Sequence, residues 1–155
     1  MALITLDDFK EGEVKEFGGY HVTEEEILEF AKKYDPQPFH TDIEAARRSI
    51  FGGLIASGWH TCSMVMRMLC DHLFTNSANT GSPGVDEIRW IRPVRPGDIL
   101  RLRVETAKVS QSRSKPDRGT IWHHVSVLNQ KGELVATLKA MTMMLTRTGA
   151  EDVKI

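Results

Sequence analysis

Apolar residues recur at helical spacing in the first half of the chain and at twofold spacing in the second, which predicts helices followed by sheet. Thr23-Glu24-Glu25-Glu26 is a capping-box pattern. Ile27, Leu28, Phe30, Ala31 and Tyr34 follow it at helical spacing, so a helix is expected from Glu24 to Lys33. Asp35-Pro36-Gln37-Pro38 stops that helix, because its prolines lack backbone donors and bias the residues before them toward extended backbone. Asp35 to His40 therefore reads as a stiffened loop. Thr41 or Asp42 can cap a short helix through Ala45, Ala46 and Arg47. Phe51-Gly52-Gly53-Leu54-Ile55-Ala56-Ser57-Gly58 then leads into the longest apolar helix, expected from Trp59 to Phe74. Met64, Val65, Met68, Leu69 and Leu73 exceed what one narrow stripe holds, so most of its circumference should be covered.

Asn76 to Gly84 is polar and rich in Gly, Ser and Asn, a loop. Beyond it the pattern predicts only strands. Ile99 to Glu105 alternates apolar with charged residues, as a half-buried antiparallel strand does, and Arg95-Pro96-Gly97-Asp98 is the turn before it. Val85 to Ile91, Thr120 to Leu128 and Leu134 to Leu145 supply three more strands, the last two joined by a turn at Asn129-Gln130-Lys131-Gly132. Ser110 to Gly119 is expected as a long polar loop, and a strand near Glu16 to Val22 would complete the sheet. The result is an α+β fold with its helices on one face of an antiparallel sheet. Periodicity alone leaves the strand order open.

Composition narrows the function classes. The 155 residues carry 20 basic and 21 acidic side chains, which removes any bulk electrostatic reason for a nucleic acid or anionic membrane partner. No repeat or linker divides the chain, so one domain over residues 1–155 is expected. Residues 1–20 include Asp7, Asp8, Glu11 and Glu13 and no signal-peptide run, and no stretch approaches the roughly 20 apolar residues of a membrane span, so the expected compartment is the cytoplasm. Cys62 and Cys70 lie eight apart on one helix, too far to bridge there, and read as buried thiols. His60, His123 and His124 match no zinc-ligand spacing, so no metal is expected and structural roles are assigned. The methionines, Met64, Met66, Met68, Met141, Met143 and Met144 among them, read first as core filler, with one or two able to line an adaptable binding tunnel. Arg113, Lys115 and Arg118 read as a solvated basic turn.

Asp35-Pro36-Gln37-Pro38-Phe39-His40-Thr41-Asp42, followed eighteen residues after His40 by Gly58, resembles the signature D-x-N-P-L-H-x-D and glycine-ended loop of the MaoC-like acyl dehydratases, or R-specific enoyl-CoA hydratases. Arg92-Pro93-Val94-Arg95-Pro96-Gly97-Asp98 looks like the same family's turn between strands, so the resemblance covers nearly the whole chain. It implies a hotdog fold, an antiparallel sheet wrapped around a long helix, in a homodimer. It further implies Asp35 and His40 as a catalytic dyad and Gly58 as oxyanion donor, with Ser57 and Phe39 beside the thioester. Gln37 stands in place of the usual Asn, Phe39 in place of an aliphatic residue, and Met66 at the helix position where some relatives hold a polar group over the substrate carbonyl.

These groups suit the chemistry of an acyl thioester on CoA or an acyl carrier protein, with no other cofactor. Hydrating a 2-enoyl thioester needs a hydroxyl at the β carbon, a proton at the α carbon and a donor for the charge developing on the thioester oxygen. A carboxylate and an imidazole on one water can serve the first two needs, each such group contributing roughly 10²–10⁴-fold. A helix-start amide lacks an intrahelical partner and lies at the positive end of the helix dipole, which suits the third. Which dyad member is base and which acid stays open. Two other readings stand beside the lyase: an acyl-CoA thioesterase, which leaves the His40 spacing without purpose, and a non-catalytic acyl-thioester-binding domain. Asp35 taken alone could be only a turn residue before proline.

Overall fold

The computed structural model describes residues 2–153. A six-stranded antiparallel sheet holds β1 (Val14–His21), β2 (Asn79–Gly81), β3 (Val85–Trp90), β4 (Ile99–Gln111), β5 (Arg118–Leu128) and β6 (Leu134–Leu145). Its order is β1-β4-β5-β6-β2, and β3 pairs with the other stretch of β6. The helices are α1 (Glu24–Tyr34), α2 (Pro38–Thr41), α3 (Ile43–Arg48), α4 (Gly58–Leu69) and α5 (Arg147–Val153). This is the hotdog arrangement, with α4 held in the concave face of the sheet.

Alternation builds that face. Leu100, Leu102 and Val104 of β4, Val125 and Val127 of β5 and Ala136 and Leu138 of β6 are buried against α4, while Arg101, Arg103 and His124 face out. On α4 the buried residues Thr61, Met64, Val65, Met68 and Leu69 follow the helical period and meet this surface. The sheet curls around the helix at Gly18, where β1 carries a bulge at φ +131°. A Cβ at Gly18 would lie 2.8 Å from Met68 Sδ and 2.9 Å from Arg101 Cα, so glycine lets β1 close onto α4. A second cluster, including Leu6, Phe9, Leu73, Ile121, Met144 and Ala150, closes the far end.

Several expectations need correction. Residues 35–40 are not a loop throughout: Pro38 opens the one-turn helix α2, its missing N–H matching a helix position that has no acceptor. Asp42, not Thr41, caps α3, with its carboxylate accepting from Ala45 N–H at 3.0 Å. The polar stretch from Ser110 to Gly119 is shorter as a loop, because β4 runs on to Gln111 and β5 starts at Arg118; antiparallel pairing outweighs polar composition there. Asn76 to Gly84 contains β2, and the second half is not all strand, since it ends in α5. The long helix loses its regular period after Leu69 and continues as a π-helical turn over Cys70–Phe74. Its circumference is not covered all round: Trp59 and Met66 are 59% and 51% exposed, on the side facing β3. Both cysteines are free thiols and only half-buried.

Candidate active site

Asp35 is the residue at which α1 ends. Its N–H still donates to Ala31 C=O at 2.8 Å, and its own carbonyl accepts from Gln37 N–H at 2.8 Å, a tight turn that delivers Pro38 to the start of α2. His40, one helical turn further, is buried, and its Nδ1 lies 2.7 Å from Ile55 C=O. A carbonyl only accepts, so Nδ1 carries a proton, and in the neutral tautomer the lone pair sits on Nε2. Nε2 is 3.4 Å from Asp35 Oδ2.

The opposite wall comes from residues 51–58. Ala56 N–H donates to Val94 C=O at 2.8 Å, and the Arg95 guanidinium donates to Phe51 C=O at 2.6 Å. Arg95 N–H in turn donates to Asp98 Oδ2 at 2.9 Å. The Arg-Pro-Gly-Asp turn thus holds the strap that presents Ile55 to His40 and starts α4 at Gly58. Ser57, expected beside the thioester, is instead fully buried and lends no surface to the cleft: its hydroxyl donates to Asp35 Oδ2 at 2.7 Å. Gln37 Nε2 donates to Oδ1 at 2.7 Å, so the amide replacing the usual Asn grips the carboxylate. The Ser57 and Gln37 hydrogen bonds, with help from His40, hold the Asp35 carboxyl below its ordinary range despite partial burial.

The cleft between these walls encloses about 480 Å³. Asp35, His40, Gly58, Thr61, Phe39, Phe51, Trp59, Trp90 and Arg92 are among the residues that line it. Phe39 stands edge-on to the His40 ring, 4.5 Å between centroids, and limits its tilt. Gly58 is the first residue of α4, so its amide has no intrahelical acceptor. Trp90 explains why glycine stands there: its indole N–H donates to Gly58 C=O at 3.0 Å, and a Cβ on Gly58 would lie 2.4–2.8 Å from the indole ring. Sequence reasoning missed Trp90, whose signal was an aromatic residue ending β3 just before the Arg-Pro turn. Thr61 is the α4 hydroxyl residue in the cleft lining, whereas Met66 lies outside it. Arg113, Lys115 and Arg118 do not line the cleft; Arg118 pairs with Asp117 at 2.9 Å, and Arg92 is the one guanidinium in the lining.

Residues 9–127 match the MaoC like domain. The chain belongs to the MaoC-like family. The uncharacterized protein YdeM of Bacillus subtilis is 30% identical over 140 residues, 86% of this chain and 98% of that protein. A crystal structure of a MaoC-like dehydratase from Rhodospirillum rubrum superposes with a TM-score of 0.84 at 38% identity, covering 93% of this chain and 98% of its own. The R-hydratase PhaJ1 of Pseudomonas aeruginosa, at 23% identity and a TM-score of 0.74, shares the fold over 94% of this chain and 88% of its own. Membership of this MaoC-like family supports hydratase or dehydratase chemistry in general. Among the described residues no group of His, Cys, Asp and Glu could hold a metal ion, and no helix is long and apolar enough to cross a membrane.

Proposed function

We propose that this MaoC-like domain adds water reversibly to a trans-2-enoyl thioester, giving the (3R)-3-hydroxyacyl thioester, with Asp35 and His40 as its catalytic dyad. The observation that carries the reading is the 3.4 Å gap between His40 Nε2 and Asp35 Oδ2, with Nδ1 already bound to Ile55. Both facing atoms are acceptors, and the gap is long for a direct hydrogen bond. A water that donates one O–H to each satisfies both and turns its lone pair outward.

The steps follow from that water. The thioester oxygen accepts from the Gly58 amide, which draws electron density from the alkene; losing such a donor costs about 3–4 kcal/mol of transition-state stabilisation. The water oxygen bonds to the β carbon as one of its protons passes to His40 Nε2, because Asp35, held low by Ser57 and Gln37, is the weaker base. Asp35 keeps its charge and stabilises the imidazolium. His40 then returns that proton to the α carbon, and the thioester C=O re-forms. Dehydration is the reverse. Hydroxyl and proton arrive from one face, so addition is syn.

Arg92, an exposed guanidinium in the cleft lining, suits an anionic carrier such as CoA or a phosphopantetheinyl arm. The test is a panel from crotonyl- to dodecenoyl-CoA, followed by loss of the conjugated-enone absorbance and by free thiol. Syn addition giving the (3R) product in D₂O is expected. Anti addition or a (3S) product overturns the geometry, and thiol release without hydration makes the domain a thioesterase.

A further inference from the structure

The N-terminal turn of α4 meets α1 at two places. One is the Ser57 hydroxyl on Asp35, at the C-terminal end of α1. The other is His60, the third residue of α4, which is 3% exposed. Glu26 and Phe30 lie four residues apart on one face of α1 and both take hold of it. The His60 ring stacks on Phe30, with centroids 4.8 Å apart and planes 9° from parallel. Its Nε2 lies 3.0 Å from Glu26 Oε1, and the Tyr20 hydroxyl of β1 donates to the same oxygen. Desolvation raises the Glu26 carboxyl, but the hydrogen bonds from Tyr20 and His60 outweigh it and hold the group below its ordinary range. Glu26 is therefore an ionised acceptor, and His60 Nε2 carries a proton toward it. Desolvation and the bond to Glu26 push the Tyr20 hydroxyl up to about 12, so it too stays a donor.

His60 faces away from the cleft. With Tyr20, Glu26 and Phe30 it lines a separate hollow of about 400 Å³, which shares no lining residue with the cleft, whereas its sequence neighbours Trp59 and Thr61 line the cleft itself. Its other nitrogen, Nδ1, is buried and has no hydrogen-bond partner among the described residues. An unpaired polar atom is costly, and leucine would fill the place without one. What imidazole supplies and leucine does not is a directional bond to α1.

We propose that Glu26, His60 and Tyr20 form a positioning unit, which fixes the rotation of α1 on the first turn of α4 and so sets Asp35 against the Gly58 amide. Its effect on turnover rests on the hydratase reading, while the fixed geometry does not. The reason is mechanical. A single bond from Ser57 to Asp35 leaves α1 free to pivot about that point. Glu26 stands nine residues back along the same helix, about 13 Å away, and a second grip there removes the pivot. Tyr20 ties the gripped oxygen to β1, the strand that closes onto α4 at Gly18. Misplacing a reacting group by about 1 Å costs on the order of 10²-fold in rate, so a small rotation of α1 matters at Asp35.

The test uses the intact protein. Gln places its amide nitrogen where imidazole has Nε2, whereas Asn places its own near Nδ1, so His60→Gln keeps the donor toward Glu26 and His60→Asn does not. With crotonyl-CoA, His60→Asn and His60→Leu should lower kcat by roughly tenfold or more with KM changed less than about twofold, and His60→Gln should recover most of the loss. His60→Leu should be no less heat-stable than the unaltered chain, because it discards an unpaired nitrogen, which separates lost positioning from lost folding. A second arm needs no turnover. In protein labelled with ¹⁵N-histidine, the His40 ring signals should shift in His60→Leu and His60→Asn and return in His60→Gln. Tyr20→Phe, a milder change that leaves His60 in place, should show both effects in smaller measure. Unaltered kcat and His40 signals across these variants, or His60→Gln no better than His60→Asn, overturn the unit. If crotonyl-CoA is not hydrated, the spectral arm decides the positioning alone, so the two readings fail separately.

Discussion

Ser57 Oγ donates to Asp35 Oδ2 at 2.7 Å across 22 positions of sequence, on the same oxygen that faces His40 Nε2. That oxygen is therefore oriented before any substrate or water arrives. Because Ser57 is also the residue from which α4 starts, one hydroxyl ties the proposed dyad to the helix that carries the Gly58 amide.

Ser57→Ala tests this coupling. Without the Ser57 hydrogen bond, the largest of those that lower it, the Asp35 carboxyl rises toward the ordinary range, so the acid limb of the kcat–pH profile should move to higher pH. An unmoved acid limb would show that Asp35 ionisation is not what the limb reports.

Asp35→Asn and His40→Ala should each lower kcat by roughly 10²-fold or more, with circular dichroism unchanged. If they act on one water, the double variant loses much less than the product of the two. Full multiplicative loss, measured on a common substrate, would separate their roles.

Gly58→Ala should destabilise the fold by about 1–3 kcal/mol, since the new methyl meets the Trp90 ring at less than 3 Å. Trp90→Ala in the same chain should recover most of that loss by making room. Denaturant midpoints of the two single variants and the double check it, and a double variant no better than Gly58→Ala removes Trp90 as the cause.

His123 should make stability pH-dependent. Its folded value, about 4, lies below the ordinary histidine value of 6.5, so the folded state disfavours the protonated ring. Its contribution is present above pH 6.5 and is lost as pH falls toward 4, on the order of 2–3 kcal/mol over that window. The lowered carboxyls of Asp8, Glu26 and Asp35 act below it, since each loses its contribution only under the ordinary carboxylate range. In His123→Phe the decline from pH 6.5 to 4 should flatten; an unchanged decline would assign it to other groups.

Among the described residues β3 pairs only with β6, and the exposed Trp59, Met66, Val85 and Ile91 lie on or near it. An uncovered edge next to an apolar face invites a second copy, and two-fold pairing of β3 with itself would cover both. Sedimentation should therefore give a dimer at micromolar concentration and a weakened one for Val85→Lys; a stable monomer of the unaltered chain refutes this.

Much was legible along the chain because it is local. Twofold alternation in Ile99 to Glu105, helical spacing from Ile27 to Tyr34 and the Asp-Pro-Gln-Pro stop depend on neighbours a few residues apart, so the helix, the strands and the Asp35-to-His40 spacing could be read directly. By itself the sequence determined which residues could do the chemistry and that a sheet must bury one long helix. Tertiary structure decided the rest, because hydrogen bonds and steric fit across 15 to 32 positions leave no periodic trace. Ile55 settles the His40 tautomer, Ser57 faces Asp35 rather than the cleft, and Trp90 requires glycine at Gly58. Leu69 ends the regular helix and His123 lies unpartnered inside it all, since only the assembled core determines which polar groups lose their water.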